Sequence, residues 1–274
     1  MRQGLLIIFG LLTLTSCSID GAWKDENIDP KIKVEINDLD KKIVEAIVTK
    51  NPKIIRDISS DILLEQTKDL DGMFASWTAK DEPQNFQIKN QFYLKKSAAG
   101  TDSKVFTGLT ADHDYTINFK ALNKEMFVSV GKIERGLETL GLTMIYGKYD
   151  DTWKLNILRI GFLEVEKKDA IDWFRQAETK YKNGNLVDAA LDLSLGAQCL
   201  KPADQLWQYK LEDEINSFNR KVTQEINNKY KFPIAVETIK SKPEIFRVFP
   251  QGMNEGFFPS VFFVTKLNIT DSTA

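Results

Sequence analysis

The side chains with the widest chemistry are scarce in this chain, which contains one histidine, His113, and two cysteines, Cys17 and Cys199. A zinc site built on cysteine needs three or four ligands, so two thiols cannot form one. A single imidazole likewise removes most histidine-dependent catalysis. His113 lies between two aspartates in the polar stretch TADHDYT, which indicates an exposed loop residue rather than a metal ligand. We therefore expect no metal site and no cofactor.

Cys17 is notable for the residues that precede it. Arg2 and the amino terminus are positive, residues 4–14 are almost entirely apolar, and small or polar residues follow. This is the n-, h- and c-region order of a secretory signal peptide. The apolar run is far shorter than the roughly 20 residues that a membrane-spanning helix needs. The pattern predicts a signal peptide over residues 1–16 and argues against a transmembrane helix.

The four residues at the end of this run resemble the lipobox of bacterial lipoproteins: Leu14, Thr15, Ser16 and Cys17. In that family the leader is cut before the cysteine, whose thiol carries diacylglycerol, and the new amino terminus is usually acylated. Two or three acyl chains make a stable membrane anchor. Ser18 resembles the outer-membrane pattern rather than the inner-membrane one. The resemblance implies an envelope protein that is held on a membrane through Cys17.

The orientation on that membrane has two interpretations. Lys24-Asp25-Glu26 resembles the acidic export signal of surface lipoproteins, although it lies further from the cysteine than that signal usually does. The other interpretation is that these charges belong to a solvated tether. The periplasmic and surface faces therefore both stay open.

The charge balance argues against nucleic acid as a partner. The 274-residue chain has 37 basic and 39 acidic side chains and a formal net charge of −2. Loss of Arg2 with the leader makes the balance more acidic still. Nucleic-acid-binding domains are basic, and their cations cluster. The remaining residues, 17–274, suffice for one large domain or two small ones.

Acidic residues occur in three close pairs, Asp69/Asp71, Asp112/Asp114 and Asp150/Asp151. Two carboxylates that face each other across a cleft can hydrolyse a glycoside, so a carboxylate-based enzyme is a remote alternative. Each pair lies near the end of a predicted element, where a role in a turn or a cap is the simpler interpretation. The sequence contains no P-loop, G-x-S-x-G or H-E-x-x-H motif. We expect a protein without enzymatic activity.

The spacing of apolar residues predicts an α+β fold, with amino-terminal helices packed on a curved antiparallel sheet. Residues 17–29 are polar and aperiodic, which favours a flexible tether. Asp29-Pro30 and Asn51-Pro52 are helix starts, followed by helical stripes over residues 32–48 and 54–63 and a shorter helix near residue 74. The period then falls to two, which predicts an antiparallel sheet with one buried face. Polar breaks at residues 123–124 and 150–151 predict hairpins.

This order resembles the NTF2-like superfamily, in which a curved sheet wraps around amino-terminal helices to form a cone. The resemblance covers residues 30–166, and its main segments are KNPKIIRDI and the closing hairpin LTMIYGKYDDTWKLNILRIG. It implies either core packing or a pocket for a small apolar ligand at the mouth of the cone. The candidate pocket residues are Trp77, Phe92, Tyr115, Phe119, Tyr146 and Trp153.

Residues 167–231 predict a helical hairpin followed by a long helix. The segment AIDWFRQAETKYKNGNLVDAALDLSLGAQCLKP resembles a tetratricopeptide repeat, with large, small and turn positions at Trp173, Ala189 and Gly184. Pro202 departs from the pattern, because it comes about a residue late. A single repeat cannot bury its faces alone, so we expect it to pack on the sheet or on the helix that ends near Tyr230.

The last region, residues 232–274, is β-like and predicts three strands. Its run Phe257–Val264 is strongly apolar and would be an aggregation hazard if it were exposed. We expect this run to pair with the first sheet, with a partner chain, or with further residues of a longer protein. The sequence as a whole predicts a lipid-anchored, non-enzymatic binding or assembly module with an envelope protein as partner. The alternative is a carrier or sensor of a small apolar ligand.

Overall fold

This computed structural model describes residues 20–78, 84–108 and 110–267. In those ranges the chain forms seven α-helices and three antiparallel sheets, which confirms the α+β class. None of the helices in the same ranges is both long and apolar enough to cross a membrane.

The helices fall into an amino-terminal group of four and a later group of three. They are α1 (Pro30–Thr49), α2 (Pro52–Ile58), α3 (Asp61–Gln66), α4 (Leu70–Thr78), α5 (Ala170–Lys182), α6 (Leu186–Cys199) and α7 (Glu212–Lys229). The predicted starts of α1 and α2 are confirmed. The side chains of Asp29 and Asn51 accept the backbone N–H of Lys31 and Lys53, and a proline occupies the first turn of each helix.

The helical stripe over residues 54–63 was expected to be one helix, and the structure divides it at Ser59 and Ser60. The Ser59 hydroxyl donates to the carbonyl oxygen of Ile55, and the Ser60 hydroxyl accepts the N–H of Leu63. The N–H of Ser60 donates to the carbonyl oxygen of Leu155, 2.9 Å away. Serine side chains compete for backbone groups in this way, so α2 ends and α3 begins where the chain touches the sheet.

The strands form three sheets. They are β1 (Gly21–Lys24), β2 (Gln84–Lys95), β3 (Thr101–Phe106), β4 (Tyr115–Ala121), β5 (Glu125–Arg135), β6 (Glu138–Tyr149), β7 (Thr152–Val165), β8 (Trp207–Tyr209), β9 (Ile234–Ala235), β10 (Glu244–Met253) and β11 (Gly256–Val264). The large sheet has the order β1-β2-β5-β6-β7, the second sheet β3-β4-β8, and the C-terminal sheet β11-β10-β9. The break at residues 150–151 makes the predicted hairpin between β6 and β7. The break at residues 123–124 instead connects β4 and β5, which lie in different sheets.

The large sheet is buried on both faces, which corrects the expectation of one buried face. Successive residues of a strand point to opposite faces. On β5, Phe127 packs with the core of α1–α4, whereas Val128 packs with the core of α5–α7 and the second sheet. The sheet is therefore the middle layer of the molecule, with a hydrophobic core on each side.

The predicted flexible tether over residues 17–29 is wrong for residues 20–29. β1 pairs with β2, and the Trp23 ring stacks on Tyr93 with ring centroids 5.2 Å apart. The Asp25 carboxylate accepts the N–H of Gln91 at 2.8 Å, and Ile28 is buried. This polar segment is part of the fold for two reasons. The backbone groups of β1 form hydrogen bonds with the edge of β2, and the Asp25 carboxylate satisfies one backbone N–H of β2.

The helices α5 and α6 form the predicted hairpin. Gly184, at the turn, has a φ of +81°, a conformation that favours glycine. At Gly196 a Cβ atom would come within 3.0 Å of the Trp173 Cβ, so glycine allows the two helices to approach closely. Ala189 is fully buried in the same contact region.

The proposed boundary between residues 30–166 and 167–231 does not separate two cores. Strand β8 pairs with β4, although about ninety residues of sequence lie between them. The rings of Tyr115 and Trp207 stack with their centroids 3.7 Å apart. Side chains of β5, α5 and α7 share one cluster. These elements form one body because each sheet face and helix pair needs the other to bury its apolar side.

Candidate functional site

The candidate lipid-attachment motif, residues 14–17, lies outside the described residues, which begin at Asp20. The side chain of Trp77 also lies outside them. The sequence interpretation of the lipobox therefore stands as a prediction.

The other five candidate pocket aromatics are all buried, but the structure does not bring them together in one pocket. Phe92, Tyr115 and Phe119 belong to the core between the large sheet and α5–α7. Tyr146 and Trp153 belong to the core under α1–α4. Each of the five is at most 6% exposed. The large sheet lies between the two groups, so the prediction of one apolar pocket lined by all of these residues is wrong. The five aromatics instead pack in two separate hydrophobic cores.

A buried carboxylate, Asp40, is the most unusual polar group in the amino-terminal core. It projects from α1 and is 1% exposed. The hydroxyls of Ser129 and Tyr146 donate to its two oxygens, each at 2.6 Å. Burial raises the pKa of Asp40 to about 6 from its usual value of 3.8, and the two hydroxyl hydrogen bonds partly oppose that rise. The sequence contained a signal for this group, since Asp40 interrupts the apolar stripe of α1 between Ile36 and Ile43.

The single histidine has two acidic neighbours that its sequence position did not reveal. His113 Nδ1 lies 2.7 Å from Asp169 Oδ2, and His113 Nε2 lies 3.9 Å from Asp172 Oδ1. The imidazole and the two carboxylates lie close enough to hold a divalent cation. Both carboxylates already take part in the capping box that begins α5. The contact between His113 and Asp169 connects the loop before β4 to α5. A second contact joins the same two segments, since the Arg175 guanidinium lies 2.8 Å from the Asp112 carboxylate.

Three of the paired aspartates have the expected roles in turns and caps. Asp69 accepts the N–H of Gly72, and Asp114 accepts the N–H groups of Thr110 and Ala111. Asp150 occupies the β6–β7 turn with a φ of 52°. The carboxylates of Asp69 and Asp114 are thus held by their own local backbone, as the interpretation of turn and cap residues predicts.

The remaining thiol is an internal group. Cys199 is fully buried at the end of α6, and burial raises its pKa to about 12. A thiol with that pKa is protonated at neutral pH, so it is a poor nucleophile.

The apolar hairpin formed by β10 and β11, residues 244–264, exposes large hydrophobic side chains. Phe258 and Phe262 are each 46% exposed, Phe263 57% and Val264 59%. The Phe262 ring lies 4.7 Å from that of Phe249 and 6.1 Å from that of Phe246. The three predicted strands are confirmed, and among the described residues this apolar run pairs with β10 but stays largely uncovered.

An apolar groove lies between α6, α7 and β10, with a volume of about 410 Å³. Its walls include Ala190 and Leu191 of α6, Ile226 of α7 and Ile245 of β10. Among the described residues that line it, Arg247 is the charged one, and Ser194 and Tyr230 carry hydroxyl groups. No local sequence pattern predicts this groove, because its walls come from four separate elements, α6, α7, β9 and β10.

Comparison with known proteins finds no matching family model, no matching curated protein and no matching solved structure.

Proposed function

We propose that this chain is a membrane-anchored lipoprotein of the cell envelope, lipidated at Cys17 and placed on the outer rather than the inner membrane. It works as a non-enzymatic module that binds or assembles with an envelope protein. The signal-peptide pattern and the lipobox residues support the anchor. The exposed apolar hairpin supports the binding role, and it is the observation that carries the proposal.

The exposed area of the hairpin exceeds what scattered surface residues present. A fully buried aromatic side chain covers 150–250 Å². Three half-exposed phenylalanines on one face of the hairpin, Phe246, Phe258 and Phe262, therefore present roughly 300 Å², and Phe263 is exposed on the other face. Exposed valines extend this surface. The largest apolar patch on a monomeric protein has about this size and is often a binding site. We infer that a partner with a complementary apolar surface covers the hairpin.

The partner docks on the faces of the hairpin rather than on the edge of β11. Pro250 and Pro259 lie directly opposite each other in the β10–β11 pair. Neither has an N–H, so the two form a non-hydrogen-bonded pair in which the backbone of Pro259 points to the free edge. The next outward N–H group, that of Phe257, already donates to Glu166 at 2.7 Å. The edge of β11 beside the hairpin turn therefore offers no free N–H to an added strand, so the faces of the hairpin are the better docking surface there.

The position of the hairpin favours a protein over the lipid bilayer. Lys95 pairs with both Gly21 and Glu125, so the first described residues lie at the end of the large sheet where β5 begins. The turn of the hairpin lies at the other end, where Met253 and Arg135 line one cavity. Strand β5 separates these ends by about 33 Å at 3.3 Å per residue. Cys17 precedes Asp20 by three residues, which span at most about 11 Å. The first described residues and the hairpin turn therefore lie at opposite ends of the sheet, which supports a docking surface directed away from the anchor that we propose.

We also propose that residues 30–166 are an NTF2-like unit, in which α1–α4 cover one face of the large sheet. The packing of α1 against β5 and β6 supports this arrangement. The alternative function, a carrier of an apolar ligand within the cone, loses support because Tyr146 and Trp153 are packed core residues.

Metabolic labelling with a fatty acid tests the anchor. The parent chain should incorporate the label and be shortened, whereas Cys17→Ser should remain an unlabelled precursor. Equal labelling of both chains would end the lipoprotein assignment.

Photo-crosslinking in cells tests the docking surface. A crosslinking amino acid in place of Phe262 should give a discrete adduct, whose mass and peptide content identify the partner. The matched control is the same amino acid in place of Val34, an apolar residue of α1 that is 61% exposed. Similar adducts at both positions, or none at position 262, would refute docking on the hairpin.

A further inference from the structure

We propose that the apolar groove between α6, α7 and β10 is a binding site for a single-chain amphiphile with a carboxylate head group. This proposal does not depend on the anchor. The groove shares strand β10 with the hairpin. Its volume, about 410 Å³, lies near the lower end of the range for small-molecule sites. That size favours one hydrocarbon chain over the two chains of a phospholipid.

The lining of the groove divides into a tail region and a head region. Leu191, Ile226 and Ile245 provide aliphatic walls for a hydrocarbon tail. The described residues that line the groove include no aspartate and no glutamate, so none of them opposes an anion there. The apolar walls alone would accept many apolar ligands. The polar groups of the lining restrict which head group such a ligand can carry.

The positive charge of Arg247 determines which head group of the amphiphile the groove prefers. Its guanidinium lies over the ring of Phe249 at 5.1 Å, and it forms no ion pair with a carboxylate of the described residues. Within those same ranges, the hydroxyls of Ser194 and Tyr230 donate to no other residue. A guanidinium matches a carboxylate with two parallel hydrogen bonds, and a hydroxyl of the same groove can add a third. An uncommitted cation at an apolar groove therefore selects an anionic amphiphile over a neutral or cationic one.

Calorimetric titration tests the site with a chain that begins at Ser18, which keeps every described residue. The probes are decanoate, decan-1-ol and decyltrimethylammonium, which share one tail and differ in the head group. Decanoate should bind with one-to-one stoichiometry and more tightly than the other two. Arg247→Gln should weaken decanoate binding about tenfold, the loss expected for one charge-assisted hydrogen-bond pair, and leave decan-1-ol unchanged. Arg220→Gln, an exposed arginine on α7, is the matched control.

Two further variants distinguish binding in the groove from binding to the part of the hairpin outside it. Ala190→Phe should fill the groove and abolish binding while the thermal midpoint stays near that of the parent. Phe258→Ser removes an exposed hairpin side chain outside the groove and should leave binding unchanged. The proposal is overturned if decanoate does not bind, if the three probes bind equally, or if Arg247→Gln has no effect. It is also overturned if the chain binds vesicles containing phosphatidylglycerol through Arg247 but does not bind decanoate, because the ligand would then be a two-chain lipid.

Discussion

The buried carboxylate of Asp40 should make the parent chain less stable as the pH rises. Replacing Asp40 with asparagine should abolish this loss of stability. Asp40 is 1% exposed and accepts hydrogen bonds from Ser129 and Tyr146. Those two bonds favour the charged form, but desolvation is the larger effect and favours the neutral form. Asparagine keeps the size and the acceptor oxygen and removes the charge.

The sign and size of the effect follow from the pKa of Asp40, which is about 6 in the folded chain and 3.8 for an ordinary aspartate. Between these values the folded state binds more protons than the unfolded state. The contribution of Asp40 to the free energy of unfolding is therefore largest below pH 4 and is lost as the pH rises through 6. A shift of one pKa unit is worth 1.36 kcal/mol, so the parent should lose about 2–3 kcal/mol relative to Asp40→Asn between pH 4 and pH 7.

Urea unfolding followed by tryptophan fluorescence measures this difference at pH 4, 5, 6, 7 and 8 and fixed ionic strength. The comparison of parent and variant at each pH cancels the other titrating groups. Asp38→Asn is the matched control, because Asp38 is exposed on the same helix. A parent-minus-variant difference that does not change with pH, or that changes in the opposite direction, would refute a raised pKa at Asp40.

Three further predictions concern packing, the first strand and the thiol. Ala189→Leu should overpack the buried side of α6 and cost about 1–3 kcal/mol in urea unfolding, whereas the exposed Ala197→Leu should change little; equal effects would contradict the packed hairpin. Trp23→Ala should cost about 1–2 kcal/mol through loss of the stack on Tyr93, and an unchanged thermal midpoint would restore the tether interpretation. In a chain that begins at Ser18, Cys199 should react with an alkylating reagent at pH 8 in urea but not in the native state, and comparable rates in both would show that the thiol is accessible.

The amino-acid sequence by itself determined most of the elements. Asp29-Pro30 and Asn51-Pro52 predicted two helix starts because a cap acceptor and a fixed φ act within one turn of the chain. The alternation along β5, β6 and β7 predicted strands, and Gly184 predicted the α5–α6 turn, for the same local reason. The break between α2 and α3 was missed because it depends on the carbonyl of Leu155, about a hundred residues away in sequence.

Tertiary structure decided which surfaces are buried and which groups meet. Alternation predicted one buried face for the large sheet, but α5–α7 cover the second face. The tether became β1 because the edge of β2 offered hydrogen-bond partners. The partners of Asp40 and His113, and the groove at Arg247, come from distant segments that no local pattern relates. A local sequence pattern reflects the preferences of each residue and its near neighbours. Burial and contacts between charged groups depend instead on how whole elements pack, so only the tertiary structure could decide them at these sites.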